Sequence, residues 1–311
     1  MRSVKTAISA DGYKLPSSAE TDGLLMLLGK LDVDKYLAPK IKHAKSQDPS
    51  SASYFRSCKL ICFFRALKAV EGGLPDPVTA ISATMLHKEI TGDLCDDAGK
   101  LRAVDVSTDG NAHTDPKYIA GSFKSIITKM NDITGAPTTA KDDFAGYLSH
   151  YMRELIILHP FESHSEFTVR IFILLFSKLK GFMLGYHRAT APVVKAAEQK
   201  AFVTDNVAPL FSMFTDCLSY DHKTATAPTA PAPRTRREVA KDLCRPTRSK
   251  PIPPEPPKQE DEKDKPKQTK KQKDNADDDI IRRAVRLQQK ISKLNEQLTE
   301  LIKPLDSKDD D

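Results

Sequence analysis

No apolar run in the 311 residues is long enough to cross a membrane, because Arg170, Lys178 and Lys180 interrupt the best candidate. The N-terminus has no continuous apolar segment of the kind a signal peptide needs. Residence in the cytoplasm is therefore expected, with delivery into another cell left open. Cysteine is scarce and odd in number: Cys58, Cys62, Cys95, Cys217 and Cys244. These sit mostly in apolar helical sequence, which predicts buried free thiols in a reducing compartment rather than a disulfide framework. Cys58 and Cys62 share a helix face, but no second ligand pair accompanies them, so a zinc site is not expected. An excess of one charge is missing too. Of the net +6, residues from 223 onward hold 22 basic against 17 acidic side chains, or +5, which leaves +1 for the rest. A basic nucleic-acid-binding body is not indicated.

What is present, up to about residue 222, is helix-periodic apolar sequence, so the fold class expected is mainly α. Residues 1–53 read as a polar lead and one amphipathic stretch, Leu24 to Leu28 followed by Leu31, Val33, Tyr36 and Leu37, a helix or helix pair. Ser53 to Val70 is a further helix, ended by Glu71-Gly72-Gly73 and Pro75. Asp76-Pro77 reads as an acidic cap with Pro at the first position of the next helix, which carries Ile81, Met85 and Ile90. Val104-Asp105-Val106 alternates like a strand, and Asp109-Gly110 is a hairpin turn signal. Asp115 to Met130 is helical, and Thr139 or Asp142 is expected to cap the helix after it. Val193 to Tyr220 adds more helix to complete the core.

The central stretch is Leu158-His159-Pro160-Phe161-Glu162-Ser163-His164-Ser165-Glu166-Phe167-Thr168-Val169-Arg170. Phe144, Leu148, Tyr151, Leu155 and Leu158 recur at threes and fours before it. Phe167 to Leu179 after it is nearly all apolar, as for a helix buried on most sides. A short polar loop between two buried helices can turn its backbone N–H groups toward an anion.

His159, Phe161 and Arg170 in this spacing resemble the motif of the Fic (Fic/Doc, Fido-domain) family, His-x-Phe-x-(Asp/Glu)-Gly-Asn-Gly-Arg-x-x-Arg. Leu86-His87-Lys88-Glu89-Ile90 and Ala98-Gly99-Lys100-Leu101-Arg102, then the hairpin with His113 and Pro116, are similar to the family's upstream signature. The resemblance implies a Fic-like helical domain over residues 76–222, with residues 1–75 packing on it and a short β-hairpin. It also implies transfer of AMP from ATP, with magnesium, to a hydroxyl of a target protein.

On that resemblance His159 is the base that takes the hydroxyl proton, suited to it by a pKa near neutrality. A His that merely closes a helix is the plain alternative. Arg170 and Ser165 stand at phosphate-binding positions, although Arg170 could equally pair with a core carboxylate. Glu162, one position early, is the candidate metal-side carboxylate, since the acidic position itself is Ser163. Leu101, Arg102, Val104 and Val106 are expected to dock an extended target segment by strand addition. The family's Gly-Asn-Gly-Arg run is His164-Ser165-Glu166-Phe167 here. That brings side chains where glycines let backbone wrap phosphate, a carboxylate where phosphate would lie, and no first arginine clamp. The base survives and the anion loop does not.

Beyond residue 222 the composition changes. Ten of the 21 prolines lie between Lys223 and Pro266, among many charges, so residues 223–276 read as a disordered linker. Ile280, Ala284, Leu287, Ile291, Leu294, Leu298 and Leu301 form a heptad seam, expected as a coiled-coil helix over 277–303 that joins a second copy or a partner helix, followed by an acidic tail, 304–311. Ser292 and Glu296 resemble the family's autoinhibitory Ser/Thr-x-x-x-Glu pattern. Three readings stay open: a Fic transferase with altered donor use, a pseudoenzyme binding protein through hairpin and coiled coil, and an unrelated helical interaction domain.

Overall fold

The computed structural model describes residues 1–221. The linker, the heptad segment, the acidic tail, Cys244, Ser292 and Glu296 lie outside the described residues. Within them the chain runs α1 (Arg2–Ser9), α2 (Ser17–Leu27), α3 (Val33–Lys45), α4 (Ala52–Gly72), α5 (Ala80–Thr91), β1 (Ser107–Thr108), β2 (Asn111–Ala112), α6 (Pro116–Asn131), α7 (Lys141–Leu158), α8 (Ser165–Leu179), β3 (Phe182–Leu184), a 3-10 turn (Tyr186–Arg188), α9 (Ala191–Thr204), α10 (Ala208–Cys217) and β4 (Leu218–Tyr220). The fold is mainly α. No helix among the described residues is long and apolar enough to cross a membrane.

The body is assembled around α8. Every residue from Phe167 to Ser177 is buried, and α1, α4, α5 and α7 all pack against this helix. An all-round apolar sequence does this because each face removed from water stabilises by about 25 cal/mol per Å2. Cys58, Cys62 and Cys217 are buried free thiols and Cys95 is half-buried, with no disulfide among the described residues.

Several elements differ from the sequence expectation. The polar lead is not a lead: it forms α1, which puts Val4, Ala7 and Ile8 in the core. α5 begins at Ala80 rather than at Pro77. Thr79 and Ser82 close a reciprocal capping box, while Asn131 binds both the N–H and the carbonyl of Val78 and holds that residue out of the helix. Ile81 and Met85 face solvent, at 71% and 63% exposure, and only Ile90 of the expected trio is buried. Neither Thr139 nor Asp142 caps α7. Ala140 is the cap residue, and Thr139 Oγ1 binds the carbonyl of Thr134 instead. The ribbon is shorter and later than Val104–Val106, pairing Ser107 with Ala112 and Thr108 with Asn111 around the Asp109-Gly110 turn. The last segment is not wholly helical, since β4 pairs antiparallel with β3.

Candidate functional site

α7 ends where its backbone turns left-handed at His159, with φ 46°. A residue with a Cβ occupies that region at a cost of roughly 1–2 kcal/mol, so neighbouring contacts must hold it. The last-turn carbonyls, normally without partners, are engaged from the hairpin side. His113 Nδ1–H donates to Ile156 O (3.1 Å), and Thr114 donates to Ile157 O through N–H (3.1 Å) and Oγ1 (3.2 Å). Arg102 reaches Leu158 O and His159 O through its guanidinium and Pro160 O through its own N–H.

His113 is keyed on both nitrogens, since Nε2 meets Thr108 Oγ1 at 2.8 Å. Its ring lies 4.3 Å from that of His159 and stacks at 4.5 Å on Phe202 of α9. His159 is buried, and its Nδ1 has no hydrogen-bond partner among the described residues. Burial, followed by the charges of His113, Arg102 and Lys195, pushes its pKa down to about 3.

The loop after His159 is pinned by His87, which the sequence presented only as part of an upstream run. Its Nδ1 accepts the N–H of Gly99 at 2.9 Å, so the proton sits on Nε2, which donates to Ser163 O at 2.9 Å. The ring stacks at 4.0 Å on Phe161, which in turn meets Phe123 edge-on at 6.0 Å. Ser165 Oγ accepts the N–H of Phe161 at 3.4 Å. His164, left-handed at φ 54°, precedes α8, and burial lowers its pKa to about 4. Glu162 is exposed. Glu166 lies 3.8 Å from Lys195 of α9.

Arg170 lies in the core. It is fully enclosed, with Nε and NH2 donating to the two carboxylate oxygens of Glu198 at 2.7 and 2.6 Å. NH1 donates to Ala7 O at 2.8 Å and to Asp11 Oδ1 at 2.5 Å. Asp11 Oδ2 also takes Lys59 at 2.8 Å. Burial opposes the ionisation of Asp11, but Arg170 and Lys59 outweigh it and hold its carboxyl at about 2.

No family model matches the chain. Among solved structures, the N-terminal Fic domain of a putative cell filamentation protein from Bartonella quintana, with bound ADP, aligns at a TM-score of 0.49 and 16% identity over 54% of this chain and 86% of that one. Protein adenylyltransferase VbhT of Bartonella schoenbuchensis is 31% identical over 106 residues, 33% of this chain and 22% of that protein. A probable protein adenylyltransferase Fic of Salmonella typhimurium is 25% identical over 139 residues, 45% of this chain and 69% of that protein. The described body is similar to the Fic domains of these proteins.

The structure brings His159, Phe161, His113 and Arg102 together and holds Arg170 on Glu198, Asp11 and Ala7, so no motif arginine reaches the loop. The residues present fit neither the metal side nor the phosphate side of magnesium-nucleotide recognition. Ser163 offers no carboxylate, and its carbonyl is taken by His87. Glu162 points to solvent, and Glu166 is drawn to Lys195. The cavity bordered by Thr108, His113, Glu166, Lys195 and Phe202 measures about 20 Å3, room for one water, whereas small-molecule sites run to roughly 300 Å3 or more.

The expected docking residues also divide. Arg102 is buried and engaged with carbonyls, and Leu101 packs on the core. Val104 is exposed and Val106 half-buried. Sequence reasoning missed Asp11 and Glu198. Each is a charged residue in a stretch that reads as a solvent face, and only the demand of Arg170 for a core carboxylate pointed toward them.

Proposed function

We propose that this protein is a Fic-domain pseudoenzyme: a body related to AMP-transferases in which nucleotide transfer is lost, retained as a protein-binding module that presents its hairpin. One observation carries the reading. Every guanidinium nitrogen of Arg170 is engaged by Glu198, Asp11 or Ala7 in a fully enclosed site, so the only arginine left in the motif is committed to the core, with four of its five N–H donors taken. Replacing the Gly-Asn-Gly-Arg run with His164, Ser165, Glu166 and the buried Phe167 points the same way. Partners are then target proteins met at the exposed rim of the hairpin and, through the heptad segment, a second copy or a partner helix. A transferase with a different phosphate donor is the second reading, favoured by the unpartnered Nδ1 of His159.

The test offers the full chain ATP, GTP, UTP or CDP-choline with magnesium, read by calorimetry and by intact mass. The expected result is no binding at millimolar nucleotide and no mass gain, in wild type and in Glu198→Ala alike. A mass gain that disappears in His159→Ala would overturn the reading and identify the donor.

A further inference from the structure

We infer that Arg102 is a positioning residue for His159, fixing the left-handed turn that seats the imidazole beside His113. One residue grips three consecutive carbonyls. Arg102 NH2 donates to Leu158 O at 3.1 Å, Nε to His159 O at 2.6 Å, and the backbone N–H to Pro160 O at 3.0 Å. NH1 donates to Val104 O at 2.6 Å, and NH2 also to Thr114 O, which fixes the guanidinium to both sides of the hairpin base. The side chain is therefore a strut between the hairpin and the end of α7, and Arg102 is only 4% exposed.

The carbonyls it holds are those on either side of the φ 46° residue. Their directions define that turn, and Nδ1 of His159 does not anchor the ring, having no partner among the described residues. A planar fork is required, because several divergent acceptors are met by one rigid group. A lysine carries the same charge at the same helix terminus but cannot reach them together. The neighbouring carbonyls Ile156 O and Ile157 O belong to His113 and Thr114, so of the residues reaching the end of α7 from the hairpin side only Arg102 holds the carbonyls of Leu158 and His159. The inference holds whether or not the loop takes nucleotide.

The experiment uses full-chain protein with labelled histidine, following the imidazole titration and the backbone carbon shifts of His159, assigned with His159→Gln. In Arg102→Lys the ring is expected to escape burial, so its pKa rises by about one unit or more, and the left-handed shift pattern is lost. Thr114→Val, which removes one side-chain bond to Ile157 O, should leave both unchanged. A folded Arg102→Lys protein with His159 unaltered overturns the inference, as does an equal change in Thr114→Val. Should Arg102→Lys fail to fold, the wild-type Arg102 Nε–H decides: slow exchange with solvent is expected, and exchange at the rate of free arginine refutes the strut.

Discussion

Arg170 and Glu198 meet as a parallel two-point ion pair inside the protein, Nε to Oε1 at 2.7 Å and NH2 to Oε2 at 2.6 Å, with neither residue more than 3% exposed. The pair joins α8 to α9, and Asp11 adds the turn after α1. Removing one partner strands a buried charge. Glu198→Ala should therefore cost about 3–5 kcal/mol in urea unfolding, whereas Arg170→Met with Glu198→Leu should recover most of the loss. If the single and the double variants unfold at the same denaturant concentration, the pair is not the source of the cost.

Stability should fall with mild acid, and the sign follows from the histidines. His159 at about 3 and His164 at about 4 lie below the ordinary value of 6.5. Between 6.5 and those values the unfolded chain binds protons that the folded chain does not, so stabilisation is complete above pH 6.5 and is lost as pH falls toward 4 and 3. Asp11, held at about 2, acts with the same sign and adds its loss as pH falls from the ordinary carboxyl value toward 2. Urea midpoints at pH 7, 5.5 and 4.5 should show a decline on the order of a few kcal/mol, flattened in His159→Gln. A flat profile in the wild type would contradict the neutral, buried assignment.

Phe161 is clamped between the His87 ring and the edge of Phe123. Phe161→Ala should cost about 3–5 kcal/mol and expose the 160–165 loop to protease before the rest of the chain. Cleavage beginning elsewhere would show that the clamp does not organise the loop.

Restoring the motif's carboxylate should not restore its ligand. Ser163→Asp is expected to remain silent to magnesium-ATP at millimolar concentration, since Arg170 stays engaged and the adjoining cavity keeps its volume of about 20 Å3. Binding by this single variant would mean that the acidic position alone had been limiting.

The parts of this architecture legible in the sequence were those with long apolar periods. α7, α8 and the loop between them were visible because Phe144 to Leu158 and Phe167 to Leu179 carry enough repeats to exclude a strand. The Asp109-Gly110 turn was readable from turn chemistry alone. α1 was not, because eight residues with three buried apolar positions look like polar chain until the rest of the core is in place. The three-residue strands β3 and β4 are too short to show an alternation. At the site, the degeneracy of the loop was plain from His164, Glu166 and Phe167. The destination of Arg170 was foreseen only in kind, because a glutamate on an amphipathic helix gives no sign that its partner arrives from another element.

The capping of α7 by the hairpin also sets an order of assembly. Arg102, His113 and Thr114 lie 43 to 57 residues ahead of the α7-end carbonyls that their side chains bind. The final turn of α7 closes locally through the N–H of His159 on Leu155 O, but its last carbonyls gain their partners only when a long chain loop has formed. His159 becomes fixed only after two distant stretches have met, which places this turn among the late events of folding.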